Sequence, residues 1–177
     1  MARINAKSTA NSNSQVKGGT HQNDAQQSNL FQLDDDQIIT QALRILESRA
    51  RYGDAMTNPD AVKSYLRLKL GALEHEVFAV IWLNSQNQVI EFEELFRGTI
   101  NQASVWPREV VKAGLAVNAA ACILTHNHPS GSQAPSSADE RLTQRLQAAL
   151  DLVEIRVLDH IVVGARGTVS FAERGLL

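Results

Sequence analysis

The chain has one cysteine, Cys122, among 177 residues, so no disulfide can close within it. That residue stands in the apolar run AAACILT, where a small buried hydrophobe is expected rather than a reactive thiol. No window of 18 residues is apolar throughout, and the opening MARINAKSTANSNSQ lacks the apolar stretch of a secretion signal. No membrane span is therefore expected, and the cytoplasm is the expected address. Positive charge is not in excess either, with 17 Lys and Arg against 19 Asp and Glu. Arg3, Lys7, Lys17 and Asp24 precede Leu33, which leaves 14 of the 17 basic and 18 of the 19 acidic residues beyond it. Binding nucleic acid by charge alone calls for the opposite balance. No internal repeat is visible.

What is present divides at about residue 32. Residues 1–32 are dominated by Asn, Gln, Ser, Thr and Gly, with too little apolar surface to offset the entropy of ordering them. They read as a disordered polar tail, with His21 solvated in it. Residues 33–177 read as one domain. LDDDQIITQALRILESRARYG opens it as a helix, with acids Asp34 to Asp36 at its start, Ile38, Ile39, Ala42, Leu43 and Leu46 on one face, and Gly53 as its stop. A second helix follows over TNPDAVKSYLRLKLGAL, capped by Thr57 or Asn58 with Pro59 in its first turn. Val77–Leu83 and Val89–Phe96 read as strands joined by the turn NSQNQ, and TINQASV as a short third strand. PREVVKAGLAVN reads as a helix with Val110, Val111, Gly114 and Leu115 inward. The strand AACILTH, the helix SADERLTQRLQAALDLV, and the antiparallel pair IRVLDHIVVG and TVSFAE complete the chain. This order predicts an α/β (α+β) sandwich on one central mixed sheet flanked by helices.

The chemistry lies in HNHPSGSQAPSSAD. If the strand AACILTH runs on through His128, side chains two apart point the same way. His126 and His128 then project together, about 7 Å apart along the backbone. The loop PSGSQAP turns the chain, and a helix opening at Ser136 to Asp139 brings the Asp139 carboxylate back to the strand end. Two histidines and a carboxylate, with a fourth position for water, are the donor set of a catalytic zinc site. Zinc brings the pKa of a bound water down to about 7. A second account is helix capping, with Ser136 or Ser137 as N-cap, Asp139 against the dipole, and Glu140 closing a capping box with Ser137. Capping leaves both histidines unexplained, and the two accounts are compatible.

The spacing H-x-H-x7-S-x2-D in this stretch resembles the JAMM (MPN+) metalloproteases. From about Leu33 to Leu177 the chain resembles the bacterial RadC-like JAB-domain proteins, through EVFAVIWLNSQNQVIEFEELFRGT, VWPREVVKAGL and VLDHIVVG…TVSFAERGLL. The resemblance implies the cytidine-deaminase-like JAB/MPN sandwich and a zinc-dependent hydrolase that cleaves peptide or isopeptide bonds. It implies His126, His128 and Asp139 as the Zn2+ ligands, and Ser136 as the serine that holds the water or the developing oxyanion. It also implies a glutamate at the start of an early strand as general base. Glu76 in EHEVFAV is the best match. Glu74 competes, because a slip of two residues preserves facing on a strand.

Among the other polar residues, His160 in VLDHIVVG reads as a satisfied structural histidine, and His75 as facing away from Glu76. Arg97 and Gly98 fit either a place near the site or a bend. Trp82 and Trp106 read as packing. Longer RadC proteins resemble a two-part arrangement with a helix-hairpin-helix region ahead of the JAB domain, and no such hairpin precedes the domain here. Lys63, Arg67 and Lys69 make a modest basic patch. The alternative reading is a protein of DNA repair or mobile elements acting on or near nucleic acid, with the metal structural or used on phosphodiesters. A scaffold with a vestigial site is a third. Nothing in the residues names a protein or peptide substrate, or an oligomeric state.

Overall fold

The computed structural model describes residues 34–52, 58–98 and 105–177. The tail expected over residues 1–32 and the stop at Gly53 lie outside these, as does the third strand expected over TINQASV, apart from Val105. A compact unit runs from Ile39 to Leu177. No helix among the described residues is long and apolar enough to cross a membrane.

Helix α1 spans Asp35–Tyr52. Asp34 caps it: its side chain accepts from the Gln37 N–H at 2.8 Å, and Gln37 Oε1 accepts from the Asp34 N–H at 3.2 Å. Helix α2, Pro59–Leu70, begins with Asn58 as N-cap and Pro59 in its first turn. The strands are β1 Val77–Leu83, β2 Val89–Arg97, β3 Ala121–Asn127, β4 Arg156–Gly164 and β5 Gly167–Ser170. Helix α3 covers Pro107–Ala116, and α4 covers Ser137–Asp151.

The sheet order is β2-β1-β3-β4-β5. Among the described strands only β3 and β4 run parallel, joined through α4 as a βαβ unit, and the other pairings are antiparallel. The prediction of one mixed sheet flanked by helices therefore holds. Every residue of β1 is buried, because the strand has a core on both faces. Val77, Ala79, Ile81 and Leu83 pack with Val62, Leu66 and Leu70 of α2 and with Leu43 and Leu46 of α1. Phe78, Val80 and Trp82 face the opposite way, toward Val110 of α3 and Leu146 and Leu150 of α4. Burial on both faces is why this stretch reads as an unbroken apolar run and not as an alternation.

Two details depart from expectation. Ile38 and Ile39, placed on the inward face of α1, are 40% and 41% exposed, and Leu43 and Leu46 carry the contact. Leu115, placed inward on α3, is 52% exposed. It lies about 140° round the helix from the buried Val110. Gly114 is inward as expected: a Cβ there would come within 2.8 Å of Ile155 and 2.9 Å of Trp82. The missing side chain lets α3 lie close on the sheet.

Candidate metal centre

The site forms where β3 ends and α4 begins, at the carboxyl edge of the one parallel pair. Strand β3 stops at Asn127, one residue short of the expected His128. The backbone still continues the pairing, since the His128 N–H donates to the Val163 carbonyl at 2.9 Å. The two rings therefore project together as the i, i+2 spacing requires, with Nε2 atoms 2.9 Å apart. Asp139 enters from the first turn of α4, its Oδ1 3.5 Å from His126 Nε2 and its Oδ2 3.7 Å from His128 Nε2.

Helix capping and ligand placement turn out to be one arrangement. Ser136 is the N-cap and Asp139, not Glu140, closes the capping box. The Ser136 N–H and Oγ–H both donate to Asp139 Oδ2 at 2.7 Å, and Ser136 Oγ accepts from the Asp139 N–H at 3.2 Å. With Oδ2 held by the cap, Oδ1 is presented toward His126.

These donors suit a metal ion. His126, His128 and Asp139 each offer one ligand atom, all within 4.8 Å of one another. A tetrahedral zinc with bonds near 2.0–2.1 Å sets its donors about 3.3 Å apart, and the two Nε2 atoms at 2.9 Å and Asp139 Oδ1 at 3.5 Å from His126 Nε2 lie on either side of that value. His128 is also oriented for the task. Its Nδ1–H donates to the Ser132 carbonyl at 3.0 Å, so in the neutral ring it is Nε2 that carries the lone pair. The Ser132 carbonyl is in reach because residue 164 is glycine: a Cβ there would come within 2.8 Å of that oxygen and 2.9 Å of the Gly131 carbonyl. Nothing in the sequence pattern pointed to Gly164.

The electrostatics favour a cation. Burial pushes His126 down to about 4, against the pull of Asp139. The Asp139 carboxylate beside it holds His128 above its ordinary range, against its burial and with smaller help from the Ser132 carbonyl and the charge of Glu76. Burial alone would raise the Asp139 carboxyl. The His128 and His126 imidazoles and the Ser136 donors outweigh it and hold the group well below the usual carboxylate range. The neutral His126 imidazole beside the ionised Asp139 carboxylate is the ligand state that metal binding requires.

A cleft of about 910 Å³ opens over these groups, and Glu76, Trp106, Arg141 and Arg145 are in its wall with the three donors. Glu76 precedes β1. Phe78 of β1 pairs with His126 of β3, and Glu76, two residues before it, is near enough for its charge to act on His128. Glu74 is exposed and two residues further out. Ser136 also lines the cleft.

The remaining polar residues sort as follows. His160 is fully buried and meets the site directly, its Nε2 2.9 Å from His126 Nδ1. Sequence offered no sign of that, because the partner lies 34 positions away. Trp82 is packed in the core as expected, whereas Trp106 is 58% exposed and lines the cleft. It stands immediately before α3, outside the layer that α3 buries. Arg97 Nη2 meets His75 Nδ1 at 3.2 Å on the surface, away from the cleft. Burial pushes the Cys122 thiol up to about 12, which makes it the inert hydrophobe expected.

Comparison with known proteins agrees with this geometry. A RadC-like JAB domain matches residues 56–176. A UPF0758 protein of Vibrio cholerae is 59% identical over 143 residues, covering 81% of this chain and 90% of that protein. UPF0758 proteins of Methylibium petroleiphilum and Leptothrix cholodnii are 60% and 56% identical over 79% of this chain. The chain spans 63% of the length of each of those two. By the domain match and these identities, the chain belongs to the RadC-like JAB domain family of UPF0758 proteins.

Proposed function

We propose that this chain is a zinc-dependent hydrolase of the JAMM type that cleaves peptide or isopeptide bonds. The observation that carries the reading is the convergence of His126, His128 and Asp139 on one point, with Glu76 in the wall of the same cleft. A zinc ion held by these three residues would supply a water acidic enough to ionise near neutral pH and an electrophile for the scissile carbonyl.

The chain's own groups do the rest. Glu76 takes the proton of the attacking water as the C–O bond forms, and returns it to the leaving nitrogen as the C–N bond breaks. Ser136 serves the oxyanion by turning its hydroxyl from Asp139 Oδ2. The carboxylate stays in place meanwhile, because the Ser136 N–H donates to the same oxygen. Arg141 and Arg145 in the cleft wall favour a second reading, phosphodiester hydrolysis on nucleic acid. Against it stands the net charge of −2 on the whole chain.

Comparing protein termini in cells that carry the wild type with those that carry Glu76→Gln tests the first reading. New termini that appear only with wild type support it. Identical termini in both, with nuclease activity present in wild type alone, would transfer the chemistry to the second.

A further inference from the structure

Behind His126 runs a chain of hydrogen bonds that returns to the third donor. His126 Nδ1 lies 2.9 Å from His160 Nε2. His160 Nδ1 lies 2.6 Å from Thr143 Oγ1, and Thr143 Oγ1 lies 2.7 Å from the carbonyl oxygen of Asp139. The chain joins the end of β3 and the middle of β4 to the first turn of α4, and the side chains of His126, His160 and Thr143 are all buried.

Counting protons gives this chain a direction. A carbonyl oxygen only accepts, so the single Thr143 proton goes to Asp139 O. Thr143 Oγ1 is then left to accept, and His160 must carry its proton on Nδ1. His160 is sealed from water, stacked on Phe171 at 4.7 Å with Phe78 edge-on at 5.8 Å. A charged imidazole in such a place would be unpaired and costly, so the ring is neutral and its Nε2 carries no proton. That bare nitrogen accepts, and His126 Nδ1–H must donate to it. His126 Nε2 is thereby left as a lone pair, aimed at His128 Nε2 and Asp139.

We propose that Thr143 and His160 are positioning residues for the metal centre, a directional relay that fixes His126 in the tautomer able to ligate through Nε2. The proposal rests on the metal-centre reading above. Its physical content is that His160 alone does not suffice. A buried imidazole offers either nitrogen as donor, and only the Thr143 hydroxyl, committed to a backbone carbonyl, decides which. In Thr143→Val the shape of the side chain is kept but the acceptor is lost. His160 is then free to carry its proton on Nε2 and donate to His126 Nδ1, which forces the His126 proton onto the nitrogen meant for the metal.

The test pairs zinc affinity, measured by competition with a chelator, with nitrogen-15 NMR of the histidine rings in the metal-free protein. Thr143→Val is expected to weaken zinc binding by about 10–100-fold, the usual effect of losing a group behind a ligand. Thr143→Ser, which keeps the hydroxyl, is expected to bind within a few-fold of wild type. A merely structural role would favour the isosteric valine over the smaller serine, the reverse order. NMR of the wild type is expected to show His160 protonated on Nδ1 and bare on Nε2. Wild-type His160 protonated on Nε2, or Thr143→Val with wild-type affinity, overturns the relay and leaves the metal centre standing. Wild type that takes up no zinc overturns the metal centre itself, and the relay's function with it.

Discussion

Asn127 Oδ1 accepts the backbone N–H of Val77 at 2.8 Å, so the residue between the two site histidines also ties down the chain that carries Glu76. The same side chain donates through Nδ2 to the carbonyls of His75 at 3.0 Å and Leu73 at 3.4 Å. On its other side Glu76 is held by its own carbonyl, which accepts from the Gly98 N–H at 2.8 Å. Asn127 is buried, and by the alternation of the strand it lies on the sheet face opposite His126. One tripeptide thus supplies two candidate ligands on one face and fixes the glutamate's backbone from the other.

Replacing that side chain should uncouple the two halves of the site. Asn127→Ala leaves the Val77 N–H and the His75 carbonyl without this partner in a largely dry place. The expected loss of folding stability is roughly 2–4 kcal/mol. Zinc content should stay near wild type while hydrolysis falls, since His126 and His128 keep their own hydrogen bonds. Chemical denaturation and metal analysis on the same preparation check both parts. Loss of zinc in step with stability would show that Asn127 serves the fold alone.

Gly164→Ala offers a test from the far side. Its Cβ would press on the Ser132 and Gly131 carbonyls at 2.8 and 2.9 Å. The Ser132 carbonyl must shift, and the hydrogen bond that orients His128 weakens with it. Zinc affinity is expected to fall by about tenfold or more, with the melting temperature of the metal-free protein lowered by a few degrees. An unchanged affinity by chelator competition would mean that the loop holds His128 by other means.

The metal-free protein should be sensitive to pH in a defined direction. His126, pushed down by burial to about 4, binds fewer protons folded than unfolded. Its contribution is complete above about 6.5 and is lost as pH falls toward 4. His160 is pushed the same way by burial. The slope from one such histidine approaches about 1.4 kcal/mol per pH unit within that window. His128, held above its ordinary range chiefly by Asp139, works oppositely: its contribution is complete below 6.5 and is lost as pH rises through its folded value. Asp139, held low, adds stability that is lost only as pH falls below the usual carboxylate range. Urea unfolding of the metal-free protein from pH 7.5 to 4.5 should show stability falling at the acid end, and His126→Ala should flatten the curve. A curve that rises toward pH 4.5 would contradict these assignments.

Much of this was legible in the residues because the signals were local. The i, i+2 histidines needed only the strand period, and Asp139 only the first turn of the following helix. The dense apolar run of β1 announced a strand buried on both faces. What escaped depended on pairings that no local pattern records. The parallel register that sets Leu124 beside His160 brings a mid-strand histidine behind a candidate ligand. The glycine at 164 has meaning only once the loop at 131–133 lies against it. Trp106 was misjudged because aromatic residues usually pack, and only the tertiary position of α3 leaves this one facing the cleft. The capping box was expected between Ser137 and Glu140. It formed one residue earlier, at Ser136 and Asp139, where the cap also steadies the metal donor.

Zinc content across four proteins tests the central claim most directly. Wild type is expected to hold about one zinc ion per chain, and His126→Ala and Asp139→Ala little, because two remaining donors bind weakly. Glu76→Gln is expected to keep its zinc while losing about 10²–10⁴-fold in hydrolysis, as befits a base that is not a ligand. Wild type without zinc, both as purified and after zinc is added back, would contradict the account.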